Sequence, residues 1–541
     1  MKRSLWLSIA AFVLGAGLLV AAGFAGAATG KAAATKGGSM NLNMSGTDVD
    51  FTDPSLAYGT ISWQIEFATA LKLYNYPDKA PPSGGRLQPE GASGFPVVSK
   101  DGKTYTIPVK SGYKFSDGSP VTAKNYVFAM NRALSPTMQS PAATFMTTIK
   151  GAQAVIDGKA KTASGIKVQG NKIVIQLTQP DGGILAKLGM PFFQALKTNL
   201  ALDKNGVSVY PSAGPYTITE RTVGRHITVK KNKFYKGPRP ANIDTFNINV
   251  NTNLDQSLLQ VKAGQVDYDM GGLPATAHAD LGQQFGINKG RYFVHQLVET
   301  DYVALNTAGN VFNSVAMRQA ANNAIDRPGM LRVRGAYAGK RTVQILPPGM
   351  GGFQRTKVYP IAGPNYAKAK QLAGSNCKTV NLWTTTTPTG VNLGQVFKYN
   401  LSQIGCDVQV KLFQGFQIYT AAGQKGANFD AAMVGWNQDY PDPYDFLDVL
   451  LNGNNIHDSN NNNLAYFNVK SINNRLAAAN KLSGDARYNT YGKLDVDITK
   501  SYAPWAAYDN RNEREFVSAR TGGYLFQPAN ASADLNTFFL K

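Results

Sequence analysis

A chain of 541 residues with 43% hydrophobic composition can bury a large core, and length alone points to two or three domains, with no long polar linker between them. Lys and Arg number 55 against 34 Asp and Glu, a formal charge of +21 that would suit an anionic partner. The basic residues are scattered, with no run beyond pairs such as Lys230-Lys231, so a solvated basic surface is expected and a nucleic-acid partner is not.

In chain order, the first element is MKRSLWLSIAAFVLGAGLLVAAGFAGAATG: Lys2 and Arg3, an apolar run from Leu5 to Ala22, and an Ala25-Gly26-Ala27 cleavage pattern. This predicts a secretory signal over 1–28, removed on export to a periplasmic or extracellular site. A retained anchor is the alternative, because the run approaches the roughly 18 residues that a membrane span requires. A lipobox cysteine is absent, since Cys377 and Cys406 are the chain's only cysteines. Residues 104–136 predict a strand with Tyr105, Ile107 and Val109 on one face and a turn at Ser116–Pro120. Thr122 then caps a helix carrying Ala123, Val127, Met130 and Leu134. TFNINVN (245–251) alternates as a half-buried strand, and the segment after it reads as a helix stopped by Gly264 and a short strand reaching Asp269. Farther on, VNLW within 379–385, a helix over 391–404, an alternating strand at Val408, Val410 and Leu412, and the apolar FDAAMVGW (429–436) make a β-α-β-α-β pattern. The last strand is expected to be parallel and covered on both faces.

That strand runs into Trp436-Asn437-Gln438-Asp439-Tyr440-Pro441-Asp442-Pro443. Ligands of open α/β sheets bind outside the carboxyl ends of strands. An ordinary Asp-Pro turn accounts for the composition equally well. The polar run HDSNNNNLAYF (457–467) is expected to be a solvated connection rather than a recognition loop. Catalysis has little support: His226, His278, His295 and His457 lack H-E-x-x-H spacing, and no G-x-S-x-G elbow occurs. No metal and no cofactor is expected.

Five segments in order, 99–134, 212–250, 302–327, 365–374 and 435–446, resemble motifs of the extracytoplasmic solute-binding proteins that serve peptide, oligopeptide and nickel ABC importers (bacterial solute-binding protein family 5). The first departs from the pattern at Asn125, where an acid is usual. The resemblance implies a two-lobed α/β periplasmic-binding-protein type II fold, cluster C, with an extra subdomain and two hinge crossovers. Carried over, lobe one covers 40–300 and 510–541, with the subdomain at about 61–189, and lobe two covers 301–509; the crossovers fall near Glu299–Tyr302 and Ala507–Arg511.

It also implies a monomer that captures a peptide by hinge closure and delivers it to a membrane permease. Nickel, sugar or opine binding, or a sensor role, are the alternatives. Asp439 matches the aspartate that takes a ligand's α-amino group, with Trp436, Asn437 and Tyr440 beside it. Met433 stands where some relatives place an arginine for the ligand carboxylate. Asp442, Asp445 and Asp448 are expected as turn, cap or surface groups, Asp442 having some claim to face the cleft. Cys377 and Cys406 each precede a strand of one right-handed crossover, which predicts neighbouring starts and a disulfide.

Overall fold

The computed structural model describes residues 36–80 and 83–541; the predicted signal segment lies outside them. Two large sheets and one small one organise the chain. The first has five strands, in the order Tyr268–Asp269, Ser39–Ser45, Thr245–Thr252, His226–Lys231, Tyr216–Thr222. Its central pair is parallel, with Met40, Leu42 and Met44 opposite Phe246, Ile248 and Val250, so a single buried face carries both sets. The helix after it, Leu254–Ala263, stops where predicted: Gly264 has φ +75°, which glycine adopts without a Cβ clash, and the chain enters the short strand at Asp269.

A four-stranded antiparallel sheet, ordered Val97–Val98, Thr104–Pro108, Lys172–Gln176, Ile166–Gln169, forms the subdomain, and the helix Ala123–Leu134 packs on it. Asn125 serves the cap there as an acid would. Its Oδ1 accepts the Thr122 backbone N–H at 2.8 Å, while its Nδ2 donates to the Leu196 carbonyl.

The second large sheet is ordered Tyr292–Gln296, Trp505–Phe516, Glu299–Leu305, Ala431–Asn437, Thr379–Thr385, Asp407–Phe413, with Gly339–Arg341 also paired to the long strand. Ala431–Asn437 is covered on both faces as expected, but it is parallel only to Thr379–Thr385 and antiparallel to Glu299–Leu305. A doubly covered strand shows no alternation whichever way its neighbours run, so composition could not reveal the antiparallel partner. Alternate residues enter different cores. Val303, Leu305, Val380, Leu382 and Ala431 pack beneath the helices, whereas Tyr302, Ala432, Val434 and Trp436 join a core shared with Trp63, Phe145 and Phe192 of the first lobe.

The helix expected over 391–404 runs from Pro388 to Ser402, because Thr387 caps it, accepting the Gly390 N–H, and Pro388 occupies its first position. The following strand is an edge strand, so Leu412, expected on a buried face, is exposed. Cys377 and Cys406, at the starts of the paired strands Thr379–Thr385 and Asp407–Phe413, form a disulfide with their Cα atoms 4.8 Å apart.

The chain passes between the lobes on Glu299–Leu305 and on the 12-residue strand Trp505–Phe516. These two pair with each other. Asp301 lies opposite Asp509, a bulge skips Tyr508, and Tyr302 lies opposite Ala507. Among the described residues no helix is long and apolar enough to cross a membrane.

Candidate functional site

A cavity of about 1030 Å³ is lined by strands of both large sheets, at Ser45 and Tyr268 of the first and at Glu299, Asp301 and Met433 of the second. Its walls come from both lobes: segments around Ser45–Gln64 and Tyr268–His278 on one side, and Thr384–Leu393, Met433–Asp439 and Asn460–Asn462 on the other. The charge balance of the whole chain is reversed here. Six acids (Asp50, Glu299, Asp301, Asp439, Glu513, Glu515) line the cavity against four lysine or arginine bases, Lys204, Arg334, Arg511 and Arg514.

Two of those bases are already engaged at the crossovers. Arg334 meets Asp301 at 2.7 Å and Asp509 at 3.2 Å, and Arg511 meets Glu299 at 3.1 Å. Burial nevertheless raises the Glu299 and Asp509 carboxyls above their usual range, since desolvation of these enclosed groups outweighs the guanidinium beside each. Arg514 donates to the Arg334 and Ala336 carbonyls, and burial lowers it to about 10.

Asp439 has no such cation. It stands at the end of strand Ala431–Asn437, is 9% exposed, and its Oδ2 accepts the Tyr58 hydroxyl of the opposite lobe at 2.6 Å. Its backbone N–H donates to Asp445 Oδ2 at 2.8 Å, and Trp436 Nε1 reaches the same oxygen at 3.4 Å. Burial pushes the Asp439 carboxyl up, and the Tyr58 and Asp445 hydrogen bonds only partly offset it. Tyr58 remains a phenol donor, its own titration raised well above the ordinary value by burial and by the Asp439 charge. The Asp50 carboxylate pins this residue by accepting the Tyr58 and Gly59 N–H groups, and a Cβ at Gly59 would come within 2.7 Å of the Phe416 ring of the second lobe. Around the Tyr58 ring pack Trp63, Phe192 and, edge to face at 5.8 Å, Trp436.

Of the residues expected at a ligand, Trp436, Asn437 and Asp439 line the cavity together, and Asn437 Oδ1 is a buried acceptor without a partner. Tyr440 is not brought there. It is fully buried and turned edge-on toward Phe145, so it packs the interface between lobes. Met433 does edge the cavity, an uncharged wall at that point.

Of the neighbouring aspartates expected as turn, cap or surface groups, Asp442 does serve the turn, its Oδ1 accepting the Tyr444 N–H at 2.9 Å, but none of the three lies at the surface. Asp442 is held by Arg487 through bonds of 2.7 and 2.9 Å, Asp445 is 0% exposed, and Asp448 accepts the Tyr491 hydroxyl at 2.6 Å. Nor is 457–467 merely solvated. Asn461 and Asn463 are buried with their amides paired to backbone carbonyls, Asn461 to Gly423 and His457 and Asn463 to Phe467, and Asn460 and Asn462 reach the cavity. Sequence reasoning missed Tyr58 altogether; a lone tyrosine before a glycine carries no motif.

A family model for bacterial extracellular solute-binding proteins, family 5 middle, matches residues 86–458. The chain belongs to this family. Over 392 residues it is 24% identical to the oligopeptide-binding protein of Bacillus subtilis, covering 68% of this chain and 70% of that one. It is also 24% identical over 475 residues to the periplasmic oligopeptide-binding protein of Haemophilus influenzae, covering 82% and 83%. Among solved structures, the clavulanic acid biosynthesis oligopeptide binding protein 2 superposes with a TM-score of 0.82 at 19% identity, over 94% of this chain and 96% of that one. That likeness establishes the two-lobed binding-protein fold.

Proposed function

We propose that the protein captures a peptide between its lobes, takes the peptide's α-amino group on Asp439, and by hinge closure delivers it to an ABC transporter permease. One observation carries the reading: Asp439 is a nearly enclosed carboxyl at the cavity wall whose side chain meets a phenol and another carboxyl but no arginine, lysine or histidine among the described residues. A carboxylate taken out of water calls for a cation, and a ligand ammonium supplies one with charge-assisted hydrogen bonds. The acid-rich cavity inside a basic chain supports it, as does the relatives' description as oligopeptide-binding proteins. In this reading lobe one comprises 40–300 and 510–541, lobe two 301–509, and the mature protein is an exported monomer freed of residues 1–28.

The test uses an equimolar pool of synthetic tri- to pentapeptides with free amino termini and the same pool N-acetylated. The free pool should raise the thermal midpoint of the wild type and the acetylated pool should not. Asp439→Asn should weaken the response by about one and a half to three and a half orders of magnitude in concentration, since loss of one partner of a buried charge pair costs about 2–5 kcal/mol. Equal responses to the two pools would refute the amino-terminal reading, and native mass spectrometry of the purified protein would then identify what co-purifies.

A further inference from the structure

We propose that Asp445 is held as a neutral carboxylic acid that donates a hydrogen bond to the Asp439 carboxylate, which makes it the positioning residue for the amine-binding group. This inference rests on the role given to Asp439 above.

The geometry has three parts. Asp445 lies in the first turn of helix Tyr444–Leu451 and is fully buried. One oxygen, Oδ2, is committed as an acceptor to the Asp439 N–H and Trp436 Nε1; the other, Oδ1, has no partner of the ordinary kind. The Asp439 N–H bond to Asp445 Oδ2 sets the two buried carboxyls side by side, each acting on the other.

Two carboxylates cannot both remain ionised in such contact away from water without a cation between them. The titratable groups around Asp445 are Asp439, Tyr58, Tyr76 and Tyr440, none of them basic. The cations of this region are engaged elsewhere, Arg487 by Asp442 and Lys187 by Asp181. One proton must therefore stay in the pair. It belongs on Asp445, the more enclosed of the two, whose carboxyl is raised well above its usual range first by burial and then by the Asp439 charge. An enclosed site can keep a carboxylic acid neutral at pH 7 so that it serves as a donor.

The consequences fit the surrounding structure. As an acid, Asp445 uses both oxygens: Oδ2 accepts two N–H groups and the O–H turns to Asp439. Asp439 is then gripped from both lobes, by Asp445 on its own and by Tyr58 on the other, and keeps the single negative charge that a single ammonium requires.

Asp445→Asn reproduces the neutral acid, with its amide N–H₂ as the donor and its carbonyl as the acceptor. Asp445→Ala removes both. Infrared difference spectra of the protein without peptide, wild type minus Asp445→Asn at neutral pH, should contain the carbonyl band of a protonated carboxyl. With the free-amine peptide pool, Asp445→Asn should respond within about threefold of wild type with an unchanged pH profile, whereas Asp445→Ala should lose at least tenfold. If Asp445 were an anion, the band would be missing and Asp445→Asn would move the profile to lower pH, because a like charge beside Asp439 would have gone. Either result overturns the proposal, as does a loss in Asp445→Asn equal to that in Asp445→Ala. The infrared measurement needs no ligand, so it decides the protonation state even if the peptide pool fails to bind.

Discussion

Tyr58 and Asp439, separated by 381 residues in the chain, meet across the two lobes in a hydrogen bond of 2.6 Å. The phenol is aimed by Asp50, which holds the Tyr58 and Gly59 backbone N–H groups, and the carboxyl is aimed by the end of its strand. A bond from a hydroxyl to an ionised carboxyl contributes about 1.5–3 kcal/mol, and here it acts only when the lobes are together. Tyr58→Phe removes the bond and retains the ring packing against Trp63, Phe192 and Trp436. The variant should fold as the wild type does but spend more time open. Small-angle scattering without added peptide is expected to give a larger radius of gyration for Tyr58→Phe; equal radii would mean that the bond does not hold the lobes.

Asp442 is a different kind of acid from Asp439, although three residues separate them. Its bidentate contact with Arg487, which also donates to the Ala479 and Asn480 carbonyls, ties the loop after strand Ala431–Asn437 to the helices of its own lobe. Asp442→Ala leaves a buried guanidinium unpaired, which costs about 3–5 kcal/mol. Its thermal midpoint should fall clearly below that of Asp439→Asn, with peptide affinity affected only through stability. Chemical denaturation of the two variants side by side checks the ranking.

Much of this was legible in the sequence, and the rest was hidden for physical reasons. Thr122, Gly264 and the alternation of 245–251 are local signals, and each produced the element it announced. Asp439 and its tryptophan could be placed at a strand end because an apolar run stops there. The difference between Asp439, Asp442 and Asp445 was not legible, because it depends on Arg487, 45 residues from Asp442, and on Tyr58, 381 residues from Asp439. Burial of the asparagines in 457–467 escaped for the same reason. Their polar side chains read as solvated until the backbone carbonyls that they satisfy are in view.

Buried carboxyls give the stability a defined pH dependence. Glu66 is 1% exposed and bonded to Gln194 and Tyr210, and burial raises it to about 8; Asp495, raised by burial to about 7, and Asp448, to about 6, behave alike. An acid whose folded value lies above its unfolded one binds more protons when folded, so its stabilisation is complete below the unfolded value and is lost as pH rises through the folded one. Between about pH 4.5 and 8 stability should therefore decline, Glu66 alone contributing about 5 kcal/mol of the change. Glu66→Gln, which cannot ionise, should flatten the slope. Urea midpoints measured across that range test this, and a slope in Glu66→Gln as steep as in wild type would assign the dependence to other groups.

The disulfide between Cys377 and Cys406 closes a loop spanning 29 residues of sequence around helix Pro388–Ser402. It joins the starts of two strands that are already paired from Thr379 with Asp407 to Thr385 with Phe413, so it anchors the edge of the second sheet and takes no part in the cavity. In the chain-entropy account such a closure stabilises by about 3–4 kcal/mol, through restriction of the unfolded chain. The double variant Cys377→Ser, Cys406→Ser should lose that much unfolding free energy, read from a lowered urea midpoint, and keep its response to the peptide pool. Under denaturing, non-reducing conditions the wild type should show no reactive thiol and, after reduction, two. A wild type that exposes two thiols without reductant would rule the bond out, and a double variant of unchanged stability would show that the strand pairing alone holds this edge.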